Sequence, residues 1–174
     1  MRKVTIAVLA VSALTIFMVG SALADQTNGT GKTHLGFTVG YNAKADLSGH
    51  FEYQPTIPNY GSPDIKCGQT DGLPDYTRYT QTFTNDGFPK SIFNSTYCWD
   101  GPGQGEGTRY YVHVEAVDRG EPGVASGDSL CITVKLFPGR TSPWTFKDCG
   151  TITDGNVQIH PDTQDTIVDD GTAP

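Results

Sequence analysis

The sequence lacks a basic surplus: 12 Lys and Arg stand against 19 Asp and Glu in 174 residues, a formal charge of −7. No cationic patch is on offer to neutralise a phosphate backbone, which argues against nucleic acid as a partner. It also lacks an apolar run of bilayer length, because Val4–Val19, at 16 residues, falls short of the ~20 that span the hydrocarbon core. Cys-x-x-Cys is absent, and with it a usual spacing of zinc ligands. There is no Gly-x-Ser-x-Gly elbow, Walker loop, Rossmann glycine run or His-x-His pair, so the common nucleophile, nucleotide and cupin-type metal chemistries find no support. A sustained 3.6-residue apolar period is missing from residue 34 onward, which argues against a helical domain. What is present is a chain of one-domain length with 36% hydrophobic residues, too apolar for disorder, and with Gly and Pro supplying 32 residues, a loop-rich profile.

The N-terminus has the grammar of an export signal. Arg2 and Lys3 precede the apolar stretch, and Gly20-Ser21-Ala22-Leu23-Ala24 ends in a small-x-small site, so cleavage is expected after Ala24. Position 25 is Asp, so no lipid-modified cysteine begins the mature chain. Removing Arg2 and Lys3 leaves 10 basic and 19 acidic residues, a mature charge of −9, with no membrane span expected in the mature chain. Residues 25–33 are small and polar and read as a linker, 34–160 as the folded β domain, and 161–174, carrying Asp162, Asp165, Asp169 and Asp170, as an acidic disordered tail.

Within 34–160, apolar residues recur at every second position between turn signals, the pattern of half-buried antiparallel strands. Leu35, Phe37, Val39 and Tyr41 mark the first strand, and Phe51 with Tyr53 the second. The third starts at Ile65, breaks over 68–74 and resumes through Tyr79, Gln81 and Phe83. Phe93, Ser95, Tyr97 and Trp99 mark the fourth, which ends at the Gly101 to Gly107 cluster. Tyr110 to Ala116, Leu130 to Leu136, Trp144 to Ile152, and Val157 with Ile159 complete eight. Short connections make this an all-β, eight-stranded antiparallel meander, and an even strand count favours a closed β-barrel over a two-sheet sandwich because closure removes exposed edges.

All four cysteines follow the export segment, and an even count there reads as two disulfides. Cys131 and Cys149 flank a turn near Gly139 and Arg140 at nearly equal distance, on the side of their strands that carries Thr133, Lys135, Thr145 and Lys147. They are expected to pair facing outward. Cys67 then pairs with Cys98 across strands three and four, although Cys67 shares parity with apolar Ile65.

Few groups are placed for chemistry. His50 with Glu52, and His113 with Glu115, are His-x-Glu dyads that put imidazole and carboxylate on one strand face, as a metal-dependent hydrolase would need if all four converged. Asp118, Glu121 and Asp128 concentrate carboxylates in one loop, a candidate calcium set, although the loop lacks EF-hand spacing and turn capping accounts for the same residues. Tyr97, Trp99, Trp144 and Phe146 could offer an aromatic platform to a glycan, but their parity matches the buried rows, so core packing is expected. Asn28-Gly29-Thr30 and Asn94-Ser95-Thr96 are glycosylation sequons. No catalytic residue and no cofactor is expected.

VEAVDRGEPGVASGDS at Val114 to Ser129 and GTITDGNVQIH at Gly150 to His160, with GFTV at Gly36 to Val39 and GHFEY at Gly49 to Tyr53, resemble the post-COAP domain family of small secreted bacterial β domains. The resemblance rests on Asp118, Gly120, Glu121, Pro122, Gly123, Asp128 and Gly155 to His160. It implies shared architecture and carries no activity with it. Four cysteines and the 68–74 segment depart from the pattern. The sequence therefore points to an exported, disulfide-stabilised β domain with a non-enzymatic accessory, binding or structural role, a glycan or cell-envelope component being the partner class left open. The alternative is a barrel that carries a small ligand or glycan. N-terminal sequencing of the exported protein is expected to begin at Asp25; a chain that still begins at Met1 outside the cell contradicts the export reading.

Overall fold

A computed structural model describes residues 25–59, 61–67, 76–100, 108–136, 145–160 and 166–169. The export segment, residues 68–74, the Gly101 to Gly107 cluster, the turn at Gly139 and Arg140, and Trp144 lie outside the described residues. The chain forms strands β1 (Gln26–Lys32), β2 (Thr38–Lys44), β3 (Gly49–Gln54), β4 (Ile65–Cys67), β5 (Arg78–Phe83), β6 (Pro89–Asp100) and β7 (Arg109–Val117). A short helix, α1 (Gly123–Ser126), precedes β8 (Ser129–Leu136), β9 (Thr145–Thr151), β10 (Asp154–His160) and β11 (Thr166–Asp169). All the strand pairs are antiparallel. No described helix is long and apolar enough to cross a membrane.

The all-β antiparallel expectation holds, with eleven strands among the described residues in place of eight. The sheet runs β10-β1-β2-β3-β4-β6-β7-β8-β9 and curls into a half-barrel whose two ends, β9 and β10, are consecutive in the chain. The inner face holds Val39, Tyr41, Phe51, Tyr53, Ile65, Tyr79, Phe93, Val112, Val114, Ile132, Val134, Val157 and Ile159, drawn from successive strands at the predicted two-residue period. Tyr76 packs edge-on against Phe93 at 5.1 Å between ring centroids, and Phe51, Tyr53, Tyr76, Tyr79 and Phe93 are all nearly sealed from solvent. These rings pack against one another inside the curl.

Two terminal expectations are corrected. The segment read as a polar linker is β1, inserted between β2 and β10 through seven-residue ladders on both sides. Its inward positions are Thr27 and Gly29, which carry little apolar surface, and Gly29 makes room for Tyr41: a Cβ there would lie 2.2 Å from the Tyr41 ring. The acidic tail likewise contributes β11, which pairs with the edge of β5 that β6 leaves open, Ile167 opposite Thr80. The interrupted third strand is two strands, β4 and β5, which occupy different stretches of the same side of β6. Leu35, expected in the first apolar row, sits in the turn before β2 and is exposed.

Both disulfides form between residues directly opposite in the ladders, Cys67 with Cys98 and Cys131 with Cys149. The first is buried in the core, and the second faces outward, as the parity of Cys131 and Cys149 requires. They close spans of 31 and 18 residues. Mass mapping of the non-reduced protein should recover these two pairs. Replacing Cys131 and Cys149 together by Ser should lower unfolding free energy by about 3 kcal/mol, and replacing Cys67 and Cys98 by Ala should cost more, because a core cavity adds to the lost constraint.

Candidate binding surface

Strand β10 ends the described sheet, so the N–H groups on its side away from β1 need partners that no described strand supplies. The loop after β7 supplies them. Asp128 Oδ2 accepts from Val157 N at 2.9 Å and Asp118 Oδ2 from Ile159 N at 3.0 Å. The second oxygens hold the loop itself, Asp128 Oδ1 accepting from Arg119 N at 2.7 Å and Asp118 Oδ1 from Gly120 N at 2.8 Å. Glu121 Oε1 accepts from the amides of Asn156 and Gln158 at 2.6 and 2.9 Å. Gly123 packs beneath this clasp, where a Cβ would meet Asn156 Oδ1 at 2.1 Å and Asp128 Oδ2 at 2.5 Å. Burial raises the Asp128 carboxyl, helped by neighbouring Asp118 and Glu121 and opposed by the two amides it accepts from. The Gln158 and Asn156 amides lower the exposed Glu121. The three residues that formed the candidate calcium set thus sit together, with both Asp128 oxygens, both Asp118 oxygens and one Glu121 oxygen turned toward N–H donors.

The other end of the sheet is held by a carboxylate that the sequence reading passed over. Asp148 lies on the inward side of β9 and is almost completely buried. It accepts from the Thr33 hydroxyl, from Tyr53 OH at 2.9 Å and from Leu35 N at 3.2 Å, tying β9 to β3 and to the β1–β2 turn. Burial, followed by the Asp148 charge, pushes the Tyr53 phenol far up. Its signal in the sequence is parity: Asp148 shares a side with Phe146, whose ring is partly buried against the core beside Phe37.

The two His-x-Glu dyads stay apart. His50 and Glu52 lie on β3 and His113 and Glu115 on β7, with β4 and β6 between them in the sheet. Among the described residues no group of three or more His, Cys, Asp or Glu is placed to share a metal ion. Glu52 pairs with Lys66 at 3.6 Å and Glu115 with Lys90 at 2.6 Å, the latter contact lowering the Glu115 carboxyl. Asn94, the residue of the second sequon, is largely buried and its Oδ1 lies 2.8 Å from His113 Nδ1.

The largest departure concerns the aromatic residues. A bulge between Ser95 and Cys98 shifts the β6 register against β7 and inverts the alternation, so that Phe93 and Ser95 face inward, then Cys98, while Tyr97 and Trp99 turn outward. Core packing of Tyr97 and Trp99 is therefore corrected: both are half-buried on the outer face. Arg109, opposite Trp99 in the ladder, places its guanidinium 5.3 Å from the Tyr97 ring centre and 5.6 Å from that of Trp99, and donates from Nε to Thr96 O at 2.7 Å. Next on β7, the outward Tyr111 lies 5.6 Å from Lys135 Nζ. A depression of about 280 Å³ follows, lined by Tyr111, His113, Thr133, Lys135 and Lys147.

A second groove, of about 360 Å³, crosses the outer face of β10, β1, β2 and β3. Gln158, Asn28, Asn42 and His50 stand opposite one another along it, and Gly40 leaves a gap in the neighbouring row. Asn28, the first sequon residue, accepts there from Asn42 Nδ2.

Replacing Asp128 by Ala strands one buried and one partly buried N–H group and should lower stability by about 3 kcal/mol, or roughly 10 °C in Tm for a domain of this size. Asp118→Ala, at a less buried position, should cost less. Calcium should leave the parent Tm unchanged; a reproducible rise would show that the carboxylates open to a cation. Compared with protein-family models, curated proteins and solved structures, the chain finds no match.

Proposed function

We propose that the chain is exported and that its β domain acts outside the cell as a non-enzymatic binding module for a glycan or cell-envelope component. The export grammar of residues 1–24 and two disulfides, which persist in oxidising compartments, support the location. The membership suggested by the resemblance to post-COAP domains belongs to the same proposal.

One observation carries the binding role. Tyr97, Trp99 and Tyr111 are set half-buried on the outer face by the β6 bulge and by β7 parity, with Arg109 and Lys135 set against their rings. Outward aromatic faces bordered by hydrogen-bond donors suit the mixed apolar and hydroxylated surface of a sugar. The carrier alternative would use the interior, but there the rings of Phe51, Tyr53, Tyr79 and Phe93 pack together, and both grooves described above are on the outer face.

Affinity electrophoresis against soluble neutral and acidic polysaccharides tests the reading. The mature protein should be retarded by at least one of them, and Trp99→Ala and Tyr97→Ala should each weaken retardation about tenfold, as expected for loss of a stacking anchor worth 1–2 kcal/mol, while leaving the far-UV spectrum unchanged. A protein that migrates freely in every polysaccharide, or variants that bind like the parent, would overturn it.

A further inference from the structure

Resting on that reading, we infer that the depression between Tyr111, His113, Thr133, Lys135 and Lys147 is the subsite for one uronate residue of an acidic polysaccharide. Its walls come from two adjacent rows of the outer face: Tyr111, Lys135 and Thr145 stand opposite one another across β7, β8 and β9, and His113, Thr133 and Lys147 form the next row. Two ammonium groups therefore flank a hydroxyl and an aromatic face. Neither lysine has a carboxylate partner among the described ion pairs. Among the described residues the neighbouring acid, Glu115, is in the row beyond and is already held by Lys90 at 2.6 Å. In a chain of net charge −7, an unneutralised pair of cations beside a ring is a local inversion of the surface, and it selects an anion.

The shape narrows the anion. At about 280 Å³ the depression is at the small end of ligand clefts, which begin near 300 Å³, so it takes one unit of a chain that continues along the surface. Such a chain can run toward Arg109, Trp99 and Tyr97, which lie beyond Tyr111 on the same face. Tyr111 offers a ring to the C–H face of a sugar, Thr133 a hydroxyl at the floor, and Lys135 and Lys147 the charge for its carboxylate. His113 is a fixed wall, its Nδ1 facing Asn94 Oδ1 at 2.8 Å and its Nε2 facing Glu115 Oε1 at 3.4 Å. A duplex nucleic acid would need a continuous basic track, and the acidic surface elsewhere opposes one.

The probe is polygalacturonate, with a neutral glucan and duplex DNA in parallel, measured by affinity electrophoresis and repeated in raised salt. K135E/K147E should lose at least tenfold in retardation by polygalacturonate, and K135Q/K147Q should lose less. K32E/K44E, which makes the same charge change on β1 and β2, should bind like the parent. All three should melt with the parent, and salt should weaken the parent's binding. Equal losses in K135E/K147E and K32E/K44E would reduce the effect to net charge and overturn the subsite. DNA binding that depends on Lys135 and Lys147 would overturn it in favour of a general polyanion site. Retardation by the glucan alone would overturn the subsite and leave the glycan-binding proposal standing, whereas free migration in every polysaccharide would end both.

Discussion

Both ends of the half-barrel are anchored by carboxylates. An open curled sheet leaves N–H groups along its last strands, and buried ones must find acceptors or the fold is penalised by about 1–3 kcal/mol for each. At β10 the acceptors are Asp118 and Asp128, spaced to reach alternate residues, Ile159 and Val157. On β9 a single buried Asp148 reaches across to Thr33, Leu35 and Tyr53. These anchors tie both ends of the curled sheet to the rest of the domain.

The bulge in β6 is the second organising element, since it lets one long strand serve two purposes. Before it, β6 contributes Phe93 to the core and pairs with β5; after it, the strand contributes Cys98 to the buried disulfide and pairs with β4. The inversion that brings Cys98 inward is the same one that carries Tyr97 and Trp99 outward. Core covalent closure and surface aromatic display are thus one geometric event.

Much of this was legible in the sequence, and the failures have physical causes. Period-two alternation located β2, β3, β7, β8 and β10, which bury Val, Ile, Leu, Ala, Phe or Tyr at every second position, and, less completely, β6 up to its bulge and β9 at Phe146. β1 was missed because its inward positions are Thr27 and Gly29, small residues that make room for the Tyr41 ring of a neighbouring strand. Tyr97 and Trp99 were placed on the wrong face because strict alternation cannot register an extra residue, and nothing in Ser95-Thr96-Tyr97 announces a bulge. The carboxylates of residues 118 to 128 were visible as a cluster. Their use was not, because the amides they meet lie about 30 to 40 residues further along, at Val157 and Ile159. The segments on which the family resemblance rests, 118 to 128 and 155 to 160, are the two halves of that clasp.

The sharing of β6 by β4 and β5 has a consequence for how the chain tolerates change. Upstream of the junction, Cys67 is bonded covalently to β6; downstream, β5 is laddered to the same strand over six residues. Each side is moored to β6 independently of the other. A change that loosens one of these attachments therefore leaves the other in place.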